Sequence, residues 1–369
     1  MNIFLDAPQI GEEEKNALIK VAESGFVSSV GPLVNEFEQK FAHYMQQADC
    51  VALQSGTAAL HMALYELGIG EGDDVIVPAT TYVATVNPIR YVGANPIIVD
   101  VDSKTWNIDV ESLEKAITPR TKAIIPVHLF GNPCDMTAIM KIAAKNNLSV
   151  IEDATESLGA KYQGQWTGTI GDLGCFSFNG NKTITSGSGG MVVGKDSDRL
   201  KHIRFLINQA RENNQAYHHP EIGFNLRMTN VHAALGLAQF SKLDIFLEKK
   251  RRIFEIYKEE FNSSDNIVFQ ESEPNSNSSH WMSVIRFSGG VDIDELQQEL
   301  KKKNIPTRRI FPSLTEQLPY VPFKTQDCKV ADDLYANGLC LPSSVLNSEE
   351  DVREVAKEIV LCAKKMCVS

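Results

Sequence analysis

Lys182 stands in the segment Phe176-Ser177-Phe178-Asn179-Gly180-Asn181-Lys182, and the small-residue loop Thr183-Ile184-Thr185-Ser186-Gly187-Ser188-Gly189-Gly190 follows it. An apolar strand ends, a polar turn presents one amine, and serines and glycines let backbone and a ligand approach closely. A lysine in such a partly enclosed setting loses hydration, so its amine is easier to deprotonate. That is the state a Schiff-base lysine needs. Upstream, the apolar run Leu148-Ser149-Val150-Ile151 leads into Glu152-Asp153-Ala154-Thr155-Glu156, which puts Asp153 at a strand's end. A lysine able to hold an aldehyde and a carboxylate able to hold a ring nitrogen together point to pyridoxal phosphate (PLP).

Other residues fit the same chemistry. Gln54-Ser55-Gly56-Thr57-Ala58-Ala59-Leu60 joins the strand Cys50-Val51-Ala52-Leu53 to a helix. Ser55 can cap that helix, and Gly56 removes the side chain where a phosphate would meet free N–H groups. A serine at a helix start is also an ordinary cap, so this signal is weak alone. Ser177, five residues before Lys182, can offer a hydroxyl to the same phosphate. Beside PLP, Asp153 would keep the pyridine nitrogen protonated by charge pairing; carboxylates also end strands with no such duty. Glu156 can sit near the ring's phenolic oxygen or serve a surface ion pair. Tyr82, in Pro78-Ala79-Thr80-Thr81-Tyr82, can stack on the ring or belong to the core. His218 and His219 lack both a metal-ligand spacing and a carboxylate partner, so a zinc site is rejected. The glycines from Gly187 to Gly190 do not complete GxGxxG and precede a strand, which argues against a nicotinamide fingerprint.

The elements that must position these residues alternate. Helices are predicted over Gly56–Leu67, Thr85–Val92, Val110–Ile117 and Met136–Lys145, and strands over Val75–Val77, Pro96–Asp100, Ala123–Val127 and Ser149–Ile151. Repeated βα units with wholly apolar strands imply an α/β fold with a mostly parallel sheet covered on both faces. Such sheets bind ligands beyond the carboxyl ends of their strands, where Tyr82, His128, Asp153 and Lys182 fall. After Asn230 one long helical pattern runs to Tyr257. The polar stretch Ser263–Ser279 reads as a surface connection, Trp281–Phe287 as a strand, and Ile293–Lys302 and Asp351–Lys364 as helices. A large domain over 1–240 and a smaller α+β domain over 241–369 follow.

Composition narrows the function classes. At 369 residues and 43% hydrophobic content the chain can bury a large core. The formal net charge of -11 argues against a general nucleic-acid or anionic-membrane binder. The run Lys249-Lys250-Arg251-Arg252 is flanked by Glu248, Glu255, Glu259 and Glu260 and reads as a solvated helix face. No apolar stretch is long enough for a membrane span. Met1-Asn2-Ile3-Phe4-Leu5 is followed at once by Asp6, without a signal-peptide pattern, and a cytoplasmic enzyme is expected. Seven cysteines, Cys50, Cys134, Cys175, Cys328, Cys340, Cys362 and Cys367, show no CxxC pair and fit reduced thiols.

Taken together, the stretches Gly25–Phe37, Gln54–Leu64, Asp73–Val86, His128–Pro133, Ile151–Gly159, Gly168–Val193, Gly223–Gln239 and Ile305–Arg308 resemble, over nearly the whole chain, the DegT/DnrJ/StrS family of sugar aminotransferases. The resemblance implies the type I PLP-dependent transferase fold, with Lys182 binding the cofactor and then shuttling protons. It implies Asp153 on the pyridine nitrogen, Tyr82 on the ring face, and Gly56, Thr57 and Ser177 on the phosphate. Many members carry glutamine or histidine beside the ring oxygen where Glu156 stands here. Asn225 matches a residue that reaches the phosphate of a partner subunit's cofactor, and Arg227 and His219 match positions near the partner's substrate pocket. A homodimer with shared active sites follows.

The implied reaction moves the amino group of L-glutamate to C4 of a nucleotide-linked 4-keto-6-deoxy sugar. The wording around Asp153 and Lys182 resembles the bacillosamine-type branch, hence a UDP-linked 2-acetamido-4-keto-6-deoxyhexose, with Arg308, Arg309 and Arg227 as candidate diphosphate cations. The alternatives are GDP-4-keto-6-deoxymannose, as in perosamine synthesis, and a 3-keto sugar. A family branch that replaces the lysine by histidine performs deoxygenation; retention of Lys182 disfavours a dehydratase, and retention of both Lys182 and Asp153 disfavours a non-catalytic regulatory protein.

Overall fold

The computed structural model describes residues 2–212 and 217–366. Met1 and Cys367, which entered the readings of the N-terminus and of the cysteines, lie outside them. In chain order the first strands are β1 (Cys50–Leu53), β2 (Asp74–Pro78), β3 (Asn95–Val99), β4 (Thr121–Ile124) and β5 (Ser149–Asp153). A short hairpin of β6 (Lys161–Tyr162) and β7 (Gln165–Trp166) precedes β8 (Leu173–Ser177) and β9 (Gly190–Gly194). Seven of these form one sheet in the order β1-β9-β8-β5-β4-β2-β3. From β8 to β3 every pairing is parallel, while β9 runs antiparallel between β1 and β8. The fold is therefore α/β with a mostly parallel central sheet.

Alternate residues of single strands enter different cores. Val51 and Leu53 pack with Val75, Val77 and Ile151, whereas Cys50 and Ala52 pack with Phe176, Met191 and Val193. Ile76, Ile124 and Val150 face a further cluster with Met136 and Ile139 of the helix Met136–Asn146. Both sheet faces are thus buried, the physical reason these strands read as unbroken apolar runs.

Further along, β10 (Ile267–Phe269), β11 (Ser276–Asn277), β12 (Val284–Phe287), β13 (Arg308–Arg309) and β14 (Gly338–Cys340) follow. Four of them form an antiparallel sheet, β10-β12-β14-β13, and β11 joins β6 and β7 in a small third sheet. Ile256, Leu296, Leu300, Val355 and Ile359 from three helices bury against Ile285 and Leu339. The six described cysteines are all buried and free. Among the described residues no helix is long and apolar enough to cross a membrane.

Three expectations need correction. The helical pattern from Asn230 to Tyr257 is two helices, Asn230–Phe240 and Leu243–Phe261. The break falls at Ser241-Lys242, where Lys242 Nζ turns to Glu13 at 2.9 Å and Glu14 at 2.7 Å on the N-terminal helix Glu12–Ser24. Buried Leu243 and Phe246 keep the periodicity running across the break. Ser263–Ser279 is more than a surface connection, because Ile267, Val268 and Phe269 pair with β12 and Ser279 is buried. In the run Lys249–Arg252, Lys250 is only 4% exposed. It shares a helix face with Phe246, Ile253 and Tyr257, all buried, and so follows the apolar stripe instead of its charged neighbours.

Candidate active site

The site lies beyond the carboxyl ends of β5 and β8 and beside the start of the helix Gly56–Glu66. After β8, the Lys182 amide donates to the Asn179 carbonyl at 3.0 Å and the Ser186 amide to the Phe178 carbonyl at 2.9 Å. These two bonds fold the polar turn and the small-residue loop into a ledge before β9. A cavity of about 320 Å³ opens there. Lys182, Asp153, Glu156 and Tyr82 line it, and so do Ser55, Gly56, Thr57, Ser177 and Arg308.

Lys182 Nζ sits 3.7 Å from Glu156 Oε1 and 4.1 Å from the centroid of the Trp281 ring. Burial holds the amine below the usual lysine range, partly opposed by the charges of Glu156 and Asp153. Burial likewise pushes the Glu156 carboxyl up, opposed by Lys182 and by the Phe130 amide, which donates to Oε2 at 2.9 Å. Both members of the pair are thus moved toward their neutral forms, and a neutral amine is the nucleophile.

Asp153 is held from two sides. Thr85 Oγ1 donates to its Oδ2 at 2.7 Å and the Thr155 amide to its Oδ1 at 3.1 Å. Its chain neighbour Glu152 takes the opposite side of the strand, as the pleat requires. There Glu152 accepts the Ile170 and Gly171 amides at 2.7 Å each and the Gly168 amide at 2.8 Å. His128 Nδ1 accepts from the Cys134 amide at 3.1 Å, so its Nε2 carries the proton and donates to Glu152 at 2.9 Å. His128 is a buried brace outside the cavity lining, although it too follows a strand.

At the third wall, Ser55 Oγ accepts the Ala58 amide at 3.1 Å and caps the helix. The amides of Gly56 and Thr57, at its first turn, have no acceptor within the helix. A Cβ on Gly56 would come within 2.9 Å of Ser177 Cβ and 3.1 Å of Thr155 Cγ2, so glycine is what permits this approach. The cavity rim is aromatic. Tyr82 is 57% exposed with its ring 5.9 Å from Phe311, which stacks on Phe130 at 5.7 Å. The Arg308 guanidinium lies 5.3 Å from the Phe311 ring and near the Cys340 thiol, and its buried Nε and Nη2 find no oxygen or nitrogen partner among the described residues.

Asn225, Arg227 and His219 stay outside this lining. Asn225 bridges Asn208, Arg227 lies opposite Leu53, and His219 is exposed with Nδ1 2.8 Å from the Gln209 carbonyl. All three were expected to serve a partner subunit's cavity, not their own. Sequence reasoning missed Trp281, Thr85, Asn181 and Phe311, which the cavity brings in. The threonines after β2 were a usable signal, since a buried carboxylate needs donors; Trp281 read only as the start of a strand.

A PLP molecule fits this donor set. The capped helix start with Ser177 beside it suits a phosphate, Asp153 suits a protonated ring nitrogen, and Lys182 suits an aldehyde. The Arg308 donors, without an oxygen or nitrogen partner among the described residues, suit an anionic group on a substrate.

Comparison with known proteins agrees. The sequence model of the DegT/DnrJ/EryC1/StrS aminotransferase family matches residues 8–360. The chain belongs to that family. The GDP-perosamine synthase of Caulobacter vibrioides is 40% identical over 96% of both chains. That of Escherichia coli O157:H7 is 42% identical over 95% of this chain and 96% of its own. Among solved structures, Spr1654 of Streptococcus pneumoniae, classed as a sugar aminotransferase, superposes in its PLP form with a TM-score of 0.94. It is 28% identical and covered over 99% of this chain and 100% of its own. This chain is a PLP-dependent sugar aminotransferase with the type I fold.

Proposed function

We propose that the chain transfers the amino group of L-glutamate to C4 of GDP-linked 4-keto-6-deoxymannose. The observation that carries the reaction class is the cavity that sets the Lys182 amine beside Glu156, with the Asp153 carboxylate in the same lining. The choice of sugar is supported by two GDP-perosamine synthases at 40% and 42% identity over nearly the whole chain. Those relatives outweigh the local wording that favoured a UDP-linked 2-acetamido sugar. Comparing kcat/KM for the two keto sugars at equal glutamate tests the choice. A preference of about tenfold or more for the GDP sugar is expected, about 1.4 kcal/mol in the barrier. A tenfold preference for the UDP sugar overturns it.

In this reading Lys182 holds the cofactor aldehyde and moves the proton, and Asp153 holds the ring nitrogen. Ser55, Gly56, Thr57 and Ser177 hold the phosphate, Tyr82 covers the ring, and Glu156 with the Phe130 amide stands beside the ring oxygen. PLP, when bound, supplies the electron sink for the carbon that loses or gains a proton. Arg308 takes an anionic part of a substrate. The division at residue 241, the cytoplasmic setting and the homodimer belong to the same proposal.

The dimer has its own test. Asn225→Ala and Lys182→Ala chains, each poorly active alone, should regain activity when mixed, because one interface site then carries both intact residues. If subunit exchange is demonstrated and no activity returns, Asn225 does not act across the interface.

A further inference from the structure

Lys250 is buried in the middle of the helix Leu243–Phe261, where its ammonium faces two backbone carbonyls. Its Nζ donates to the Trp281 carbonyl at 2.9 Å and to the Ser343 carbonyl at 3.0 Å. The Trp281 indole N–H donates to the Asn181 carbonyl at 2.7 Å. Asn181 Nδ2 donates in turn to Asp6 Oδ2 at 3.0 Å. One residue back, the Leu5 carbonyl accepts the Ser343 amide at 2.6 Å, so the path closes on itself.

This ring of bonds draws together the N-terminal segment, the turn after β8, the approach to β12 and the segment after β14. Lys250 and Asp6 do not line the cavity. What they hold does: Asn181 is the chain neighbour of Lys182, and the Trp281 ring lies 4.1 Å from the Lys182 amine. Burial disfavours the ammonium and lowers the Lys250 pKa to about 8, with the Asp6 carboxylate drawing the other way. A buried cation that must satisfy two carbonyls favours the one arrangement in which both reach it.

We propose that Lys250 and Asp6 are positioning residues for the Lys182 amine, acting through Trp281 and Asn181. The inference rests on the reading of Lys182 as the residue that captures the cofactor. A π face near an amine favours its charged form, while the same ring keeps water from the amine and favours the neutral form. Releasing Trp281 therefore moves the Lys182 midpoint in whichever direction Trp281→Leu itself sets. Deleting the positive charge of Lys250 and the negative charge of Asp6 would by direct electrostatics move it in opposite directions, whereas positioning moves it the same way in both. Glu156, Asp153 and Arg308 also act on the amine. They stay in place in every variant below.

The test uses the full-length, cofactor-free protein and follows the rate of PLP capture by absorbance as a function of pH. Lys250→Met and Asp6→Ala are each made alone and in a Trp281→Leu background, with folding checked by circular dichroism. Each is expected to shift the midpoint by about half a pH unit or more in the direction set by Trp281→Leu, about threefold in the acid constant. Neither should shift it further once Trp281 is gone. An unchanged midpoint in Lys250→Met, or a shift opposite to that of Trp281→Leu, overturns the proposal, as do shifts that add in full to that of Trp281→Leu. If Lys250→Met does not fold, Asp6→Ala with and without Trp281→Leu decides: an unchanged midpoint, or a shift that adds in full, overturns it. Covalent capture by a Lys182→Ala chain would refute the reading of Lys182 itself, a separate failure.

Discussion

Lys182→Ala is expected to fold like the parent and to lose turnover by about 10³-fold or more. A positioned proton-transfer group alone contributes about 10²–10⁴-fold, and this substitution also removes the group that captures the cofactor. The fold should survive, because the lysine side chain is 14% exposed and its charged form is disfavoured by burial. Its departure leaves Glu156 with the Phe130 amide as a partner. The checks are steady-state kinetics, the absorbance band of the PLP-loaded protein, and a thermal melt. A variant within tenfold of the parent, with the band intact, would remove Lys182 from the proposed role.

The second large effect is expected at Asp153. Asp153→Asn keeps the size of the side chain and an oxygen for the Thr155 amide, while its Nδ2 can donate to Thr85 Oγ1, whose own proton then turns to Thr81 Oγ1 at 2.7 Å. What it removes is the negative charge that would keep a ring nitrogen protonated. The loss in rate should be about 10²-fold or more, with each ~1.4 kcal/mol of barrier worth tenfold. Thermal stability should change much less, since the hydrogen-bonding shape persists. Activity within threefold of the parent would make the carboxylate a structural strand end and nothing more.

Much of this arrangement is written locally in the chain. Cys50–Leu53 and Ile293–Lys302 are legible to the residue. The first is wholly buried, and the second starts where Asp292 accepts the Asp294 and Glu295 amides. Lys182, Asp153, Ser55 and Gly56 are legible because each sits in a strand-end motif a few residues long. Trp281 and Phe311 are not, because they reach Lys182 and Tyr82 from 99 and 229 residues further along the chain.

The N-terminal helices Glu12–Ser24 and Pro32–Tyr44 went unread. The first hides Glu14 in its buried face, bonded to Gln239 and Lys242, which spoils its amphipathic pattern. The reversal of β9 did leave a trace. Only residues 178–189 separate it from β8, without the crossover helix that a parallel neighbour needs.

Glu152 and Asp153 are adjacent carboxylates that differ by one methylene, and only the pleat decides which one enters the cavity. A slip of β5 by a single residue would carry Asp153 into the place of Glu152 and Ala154 into the place of Asp153. The shorter aspartate would then face the amides of Gly168, Ile170 and Gly171 and the His128 ring, while an alanine met Thr85 and the cavity. Three amides and an imidazole matched to one side-chain length thus tie the register of β5 to the presence of a carboxylate in the cavity. A sheet out of register leaves four buried donors poorly matched, so the forms that lack the carboxylate are also the less stable ones.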